Sequence, residues 1–504
     1  MGQQIRDRAA YERVTDAFKR RRKGATVADI VAVTALPLAT VRELAGMAAD
    51  EYSARLEVTE SGEIRYSFPR GFTSKYRGFS AGLRKFLGIL KKGIKTTAVF
   101  VFKVWIMVML VGYFVLFMLI ALASLLLSMT VHSSGSDNRS SNRGGGVGGL
   151  FASSIFNMII RIWFYSELLK PLDSRYSRNR GSSGDHAGKG PLYKAIFSFV
   201  FGDGDPNADW SDREKQGLIA YIQANRGVIS LPEFMTLTGL TPEKAEEGIT
   251  ACCVEFGGLP EITEGGTLIY RFDELLLRSD TRNRSFPGLS APIKRLRSFS
   301  SNLKKMNLWF SLINGANLIF GGYFLINALR TGHILTQAHF EASSYLYGLT
   351  YILSGRFIGN PLPVITFGLG FVPLVFSILF WLIPGIRYFL TKRENENIKL
   401  ENLRKDGYRR IWNSPLSVQP GDINPQAAEC RPKDMESARH RIIREFGSYV
   451  VPDVTIGDTG GEIYSFGELD REKKALEKYR DGIDAGGSAL GATVFDSDAR
   501  LPEA

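Results

Sequence analysis

Five oxygen-bearing side chains fall at calcium-loop spacing in one short stretch. Asp203, Asp205, Asn207, Asp209 and Glu214 occupy positions 1, 3, 5, 7 and 12 of a loop frame. That is the order in which an EF-hand-like loop offers oxygen to a hard cation. Position 6 is Ala208, where the sharp turn wants Gly, and Pro206 sits inside the loop. The same residues also fit an Asx-rich turn capping a helix that starts near Ser211 or Asp212. The Gly202–Asp205 run lacks the GxxxxGK[ST] frame of a phosphate loop.

The remaining candidates for chemistry are few. Cys252, Cys253 and Cys430 form no CxxC pair, so neither a metal set nor a disulfide framework is expected, which fits a reducing compartment. A cluster scaffold needs several convergent thiolates, and adjacent Cys252 and Cys253 match Ala48 and Ala49 of an earlier repeat. They therefore read as small core residues. The five histidines form no HExxH or paired spacing. With no nucleophile elbow, kinase set or dinucleotide fingerprint, no enzymatic activity and no cofactor are expected.

Long apolar runs must carry these residues. Val104–Val131 is 28 residues without a charge, more than enough to cross a bilayer as a helix. Met306–Leu329 is a second uncharged run, and Phe357–Ile386, with Pro361, Pro363, Pro373 and Pro384, a third that should be kinked. Gly149–Tyr165 and Ala342–Gly355 are shorter and fit either a crossing or an interfacial piece. Formal net charge is +12. Phe72–Lys95 and Pro292–Lys305 read as basic amphipathic helices lying on the membrane. Lys75, Arg77, Arg84, Lys85, Lys91, Lys92, Lys294, Arg295, Arg297, Lys304 and Lys305 would then face anionic lipid headgroups.

The polar stretches repeat. Helices are expected over 8–24, 26–33 (with Thr26 as N-cap) and 38–51, followed by a hairpin over 55–59 and 63–68 turning at Ser61–Gly62. Three helices closed by a two-stranded wing is the winged-helix arrangement. Thr34, Glu57, Thr59, Gly62, Tyr66 and Phe68 recur 204 residues later as Thr238, Glu261, Thr263, Gly266, Tyr270 and Phe272. A third wing, VTIGDTGGEIYSF over 454–466, follows expected helices at 404–412 and 432–446. The third helices of the first two copies are acidic: Leu38–Glu51 carries one Arg against three acids, and Pro242–Glu255 carries Lys244 against Glu243, Glu246, Glu247 and Glu255. A helix entering the major groove needs positive charge, so DNA is not the expected partner. Only the third copy, with Arg439, His440, Arg441 and Arg444, departs from this.

The expected fold class is therefore an α-helical membrane protein with small α+β winged-helix cytoplasmic modules, duplicated, the third copy degenerate. The expected order is a first module (1–70), a basic interfacial helix (71–97), a membrane region (98–170, with span 104–131 and short segment 149–165) and a flexible linker (171–197). The Gly-Asp motif and second module follow (198–280), then a second basic helix (286–305), a second membrane region (306–390, spans 306–329 and 357–386), the third module (394–482) and a disordered tail (483–504). Lys/Arg-rich loops flank the modules, which the positive-inside rule puts with both termini on the cytoplasmic side of an inner membrane. No secretory signal is expected at the N-terminus.

The run Lys194–Asn207, KAIFSFVFGDGDPN, followed by a wing ending in Tyr270-Arg271-Phe272, resembles a family of poorly characterised bacterial and cyanobacterial membrane proteins. Its plant chloroplast counterpart carries the label "iron–sulfur cluster biosynthesis family protein". The order of wing, basic helix, span, FVFGDGDPN motif, second wing and further spans is also similar. On the residues, the expected function is a multi-pass membrane scaffold or assembly adaptor whose modules dock a cytoplasmic protein, with self-association into a homo-oligomer compatible. The alternatives are a membrane-tethered DNA-binding regulator and a transporter or channel component. For the last, Asn314, Asn317 and Asn327 fall on one helical stripe, a pattern that also packs helices together.

Overall fold

The computed structural model describes residues 8–21, 24–69, 71–75, 93–94, 96–132, 191–279, 292–330, 345–457, 460–483 and 490–498. Arg77, Arg84, Lys85, Lys91, Lys92 and the segment 149–165 lie outside them. In chain order the described residues form α1 (Arg8–Arg20), α2 (Val27–Thr34), α3 (Leu38–Tyr52), β1 (Arg55–Thr59) and β2 (Ile64–Ser67). Next come α4 (Thr96–Ser124, with a π-turn at Val108–Gly112), α5 (Leu192–Phe201), α6 (Trp210–Ala224), β3 (Val228–Ser230), α7 (Leu231–Thr238) and α8 (Pro242–Phe256). They are followed by β4 (Leu259–Ile262), β5 (Leu268–Arg271), α9 (Lys304–Leu329), α10 (Tyr345–Gly355) and α11 (Val372–Asn413). Last are α12 (Met435–Gly447), β6 (Asp453–Ile456), β7 (Glu462–Ser465), α13 (Gly467–Gly482) and β8 (Thr493–Asp496). The described residues are mostly helical and include three small sheets ordered β2-β1-β8, β3-β5-β4 and β6-β7.

Two compact units result. The first holds Met1–Lys85, Asp205–Arg297 and Arg393–Ala504. Inside it one frame occurs three times. Each hairpin turns on a glycine at positive φ: Gly62 at 77°, Gly266 at 79° and Gly460 at 79°. A Cβ there would meet the carbonyl, so glycine is the residue that fits. Each such glycine donates its N–H back to the residue three before it, Thr59, Thr263 or Gly457. Each second hairpin strand also pairs its tyrosine with a residue far upstream: Ala25 with Tyr66, Ile229 with Tyr270, Val418 with Tyr464. The next residue starts a capping box in all three: Thr26 with Asp29, Ser230 with Glu233, Gln419 with Asp422. In all three the N-cap N–H donates to the acidic side chain, and Thr26 Oγ1 also accepts from Asp29 N, satisfying N–H groups that would otherwise lack partners. The third frame replaces the second helix with a short 3-10 turn, Pro420–Asp422. Phe18, Ile30, Val41, Ile229, Phe256, Tyr408 and Phe446 belong to a single buried apolar cluster shared by the three frames.

The second unit holds Phe86–Gly204 and Ser298–Lys392. Three described helices are long and apolar enough to cross a membrane: Thr96–Ser124, Lys304–Leu329 and Val364–Asn413. The third runs on well past 386, so the expected separate helix at 404–412 is its C-terminal end. Pro384 lies inside α11; it removes one backbone donor but the helix continues on either side. Within the described residues Tyr345–Gly355 is a helix of 11 residues, and the start of the 342–355 segment lies outside them. Asn314 and Asn317 are buried, and their amides donate to Ser377 O (2.9 Å) and Leu110 O (2.8 Å). The asparagine stripe thus stitches α9 to the backbones of α11 and α4. The carbonyl that receives Asn317 sits in the π-turn of α4, where the widened helix leaves carbonyls open to side-chain donors.

Two expectations from the sequence are corrected. Pro292–Lys305 is not one amphipathic helix: residues 292–300 are irregular and extended, and helix begins only at Lys304. Residues 483–504 are not without structure, since Thr493–Asp496 is a strand on β1.

Candidate functional site

Within the first unit, residues 292–297 are held as an extended strap by three asparagines. Asn402 Oδ1 accepts from Lys294 N (2.9 Å) while its Nδ2 donates to Lys294 O (2.9 Å) and to Glu429 O (3.0 Å). Asn207 makes the same pair of bonds with Arg295, at 2.9 and 2.8 Å. Asn395 makes it with Arg297, at 2.8 and 2.9 Å. A carboxamide carries one acceptor and two donors, so it can replace a neighbouring strand for one residue. Asn395 and Asn402 are seven apart on α11, two helical turns, which puts both on one face. This explains the lost helix: the strap's amides are satisfied by side chains instead of by its own carbonyls. Of the six described cations that the sequence assigns to lipid, three lie against carboxylates of the protein. Lys294 Nζ pairs with Glu401 (2.6 Å) and lies 5.4 Å from the Trp210 ring centroid. Arg297 pairs with Asp205 (2.5 Å) and Glu394 (2.8 Å). Lys75 lies 3.9 Å from Asp50. Arg295, Lys304 and Lys305 are exposed.

The calcium-loop spacing has a different outcome. Asp205 accepts from Arg297 and from Asn207 N (2.9 Å), which is an Asx turn. Asp209 pairs with Arg213 (3.0 Å) and Glu214 with Lys405 (3.3 Å). In the second unit, Asp203 accepts from Ser301 N (2.7 Å) and Ser301 Oγ (3.1 Å). Each of the five side chains has at least one oxygen bonded to a group of the protein, and among the described residues no three His, Cys, Asp or Glu side chains form a metal-ligating group. Pro206 and the missing glycine at Ala208 keep the chain from curling its side chains inward.

The Arg297 guanidinium, with the Asn207 N–H, holds the Asp205 carboxyl below the usual carboxylate range. A lowered folded value means the stabilisation is complete above the unfolded pKa, about 4, and is lost as pH falls through the folded value. Thermal melts stepped downward from about pH 5 are expected to lose stability less steeply in Arg297→Gln than in the parent.

The thiols are poor ligands and nucleophiles. Burial pushes Cys252 up to about 12 and Cys430 up to about 11, and raises Cys253. Near neutral pH, Cys252 and Cys430 should react with iodoacetamide at least about a hundredfold more slowly in the folded chain than after unfolding.

The charged groups of the capping boxes were not singled out from sequence, although Asp29 and Glu233 share the 204-residue offset. Asp29 is fully buried; its carboxylate binds Arg21 (2.8 Å) and accepts from Ser279 N (3.0 Å). Glu233 is also buried, and accepts from Tyr221 OH (2.6 Å), Arg480 Nη1 (2.9 Å) and Arg480 Nη2 (2.7 Å). Each cap is thus sealed by an element far downstream. The acidic helices α3 and α8 pack against one another, and Arg42 on α3 pairs with Glu274 (2.8 Å). On α12, Arg439 donates to Ile423 O (2.8 Å) and Arg441 pairs with Glu445 (2.8 Å). Apolar side chains remain exposed on two hairpins: Leu259 and Ile262 on β4, Val454 and Ile456 on β6.

No family model and no solved structure matches the chain. It is similar to an uncharacterised chloroplastic protein of Arabidopsis thaliana, 24% identical over 478 residues that cover 93% of this chain and 83% of that protein. The likeness therefore runs through both units and points to a poorly characterised group of proteins with a plant counterpart.

Proposed function

We propose that the protein is a multi-pass membrane scaffold or assembly adaptor, and that its three frames are winged-helix modules which dock partner proteins on the cytoplasmic side. The observation that carries this is the set of bare wings. Ile262 is 72% exposed and Ile456 80% exposed, and each shares its strand with a second exposed apolar side chain, Leu259 on β4 and Val454 on β6. Exposed apolar side chains grouped on one element are a mark of protein contact surfaces. The helix of each module that would read DNA is engaged elsewhere: α3 and α8 with each other, α12 with Ile423 through Arg439 and with Arg404 through Glu445. That favours protein over nucleic acid. The three apolar helices supply the anchor, and the exposed Lys304 and Lys305 at the start of α9 suit an anionic headgroup layer. Crosslinking in native membranes, with a photoreactive residue at position 262 or 456, tests the proposal. A discrete protein adduct is expected. Labelling of lipid alone at both positions would sink it.

A further inference from the structure

In the first frame the outer edge of the wing is not bare. β1 pairs on one side with β2 and on the other with β8, the chain's own C-terminal strand. The corresponding strands β4 and β6 have no further strand beside them among the described residues. The added strand is antiparallel, with Glu57 opposite Asp496 and Val58 opposite Phe495, and the register slips between Val58 and Thr59. Its hold is main-chain and ionic. Glu60 N donates to Ala492 O (3.0 Å), Ser497 N to Leu56 O (2.9 Å) and Leu56 N to Ser497 Oγ (2.9 Å). Arg55 grips the Asp496 carboxylate with both arms of its guanidinium, Nε to Oδ1 at 2.9 Å. The apolar side chains of the strand contribute little, for Val494 is 69% and Phe495 58% exposed. A strand held by backbone bonds and one ion pair, without apolar burial, adheres weakly.

We propose that the outer edge of β1 is a strand-addition site for an extended, acidic segment of a partner protein, and that β8 is its exchangeable resident. The edge supplies main-chain donors and acceptors to any extended chain, and Arg55 selects a carboxylate at the place of Asp496. The ring of Phe495 and the Val494 side chain lie in solvent, so the site does not dictate residues there. This rests on the docking function above and names the mode and chemistry of one partner.

The probe is a fluorescein-labelled peptide of residues 490–498, LGATVFDSD, added to the detergent-solubilised chain. A chain ending at 489 is expected to bind it in the micromolar range, and the full chain at least about tenfold more weakly, because its own strand occupies the edge. The peptide with Asp496→Lys should bind the shortened chain at least about tenfold more weakly, and a shortened chain with Arg55→Glu should prefer that peptide. Hydrogen exchange on the full chain is the second measurement. Amides of Glu60 and Ser497 should exchange at least about a hundredfold faster than those of the β1–β2 ladder. A shortened chain that melts like the parent yet fails to bind overturns the proposal, as does indifference to the Asp496→Lys change. So does protection of β8 equal to that of β1–β2, which would make it a permanent edge cover. If the peptide fails while positions 262 or 456 still crosslink to a protein, the scaffold function stands and the strand site falls.

Discussion

Arg480→Met is expected to destabilise the first unit by about 3–5 kcal/mol, the cost of leaving a buried charge without its partner. The Glu233 side chain is 1% exposed and that of Arg480 15%. The guanidinium meets both carboxylate oxygens and donates a further bond to Val228 O at 2.8 Å. Glu233 also accepts from Ser230 N (3.1 Å), closing the capping box of α7. Removing Arg480 therefore strands a carboxylate at the start of a helix and frees the carbonyl of a strand. Tyr221 remains as a neutral donor at 2.6 Å, which limits the loss. The check is a thermal or denaturant melt followed by a probe in the first unit, with Glu233→Gln and the double variant closing a cycle. Glu233→Gln keeps the cap oxygen and should cost less than Arg480→Met. The double variant should be less damaged than the sum, since the unpaired charge is gone. Additive losses would mean that the two side chains do not depend on one another.

That pair also marks where sequence reading stopped. The hairpins were legible because they are local: a left-handed glycine and alternating residues fix a hairpin within a dozen positions, and the turns at Gly62 and Gly266 are where the pattern put them. The apolar helices were legible because length and composition decide them. Glu233–Arg480 was not, because 247 residues separate the partners and neither is unusual in its own neighbourhood. The strap shows the opposite failure. Ile293, Leu296, Phe299 and Leu303 have helical spacing, but the backbone of 294–297 is satisfied by asparagines from elsewhere in the sequence, and tertiary bonds override a weak local preference. The Gly-Asp motif was legible as a site of unusual side chains, but its partner was not: the oxygens at Asp205 and Asn207 bond the protein's own strap, which lies about ninety residues downstream. Of the tail, only its chemical plainness was visible. A four-residue strand with no buried apolar face leaves no pattern to read.

Asn402→Asp should cost about 2–4 kcal/mol although it changes one NH₂ to one oxygen. The side chain is fully buried. Its Oδ1 accepts from Lys294 N, and a carboxylate would keep that bond. Its Nδ2 donates to two carbonyls, Lys294 O and Glu429 O, at 2.9 and 3.0 Å. The substitution turns an oxygen toward both and leaves two buried acceptors facing a third, with repulsion added to the lost bonds. Asn402→Leu removes the polar group altogether, leaving three backbone groups unsatisfied but no new charge. It is expected to fall short of the aspartate in its effect. Asn395→Asp makes the control, since Asn395 is only partly buried and serves one residue of the strap instead of bridging to Glu429. It should cost about 1 kcal/mol. Limited proteolysis of the strap reads the same ranking by a second route, with cleavage after Lys294 or Arg295 fastest in Asn402→Asp. Equal cleavage in all three variants would mean that the strap is held by its cations, through Glu401, Glu394 and Asp205, and that the asparagines only accompany them.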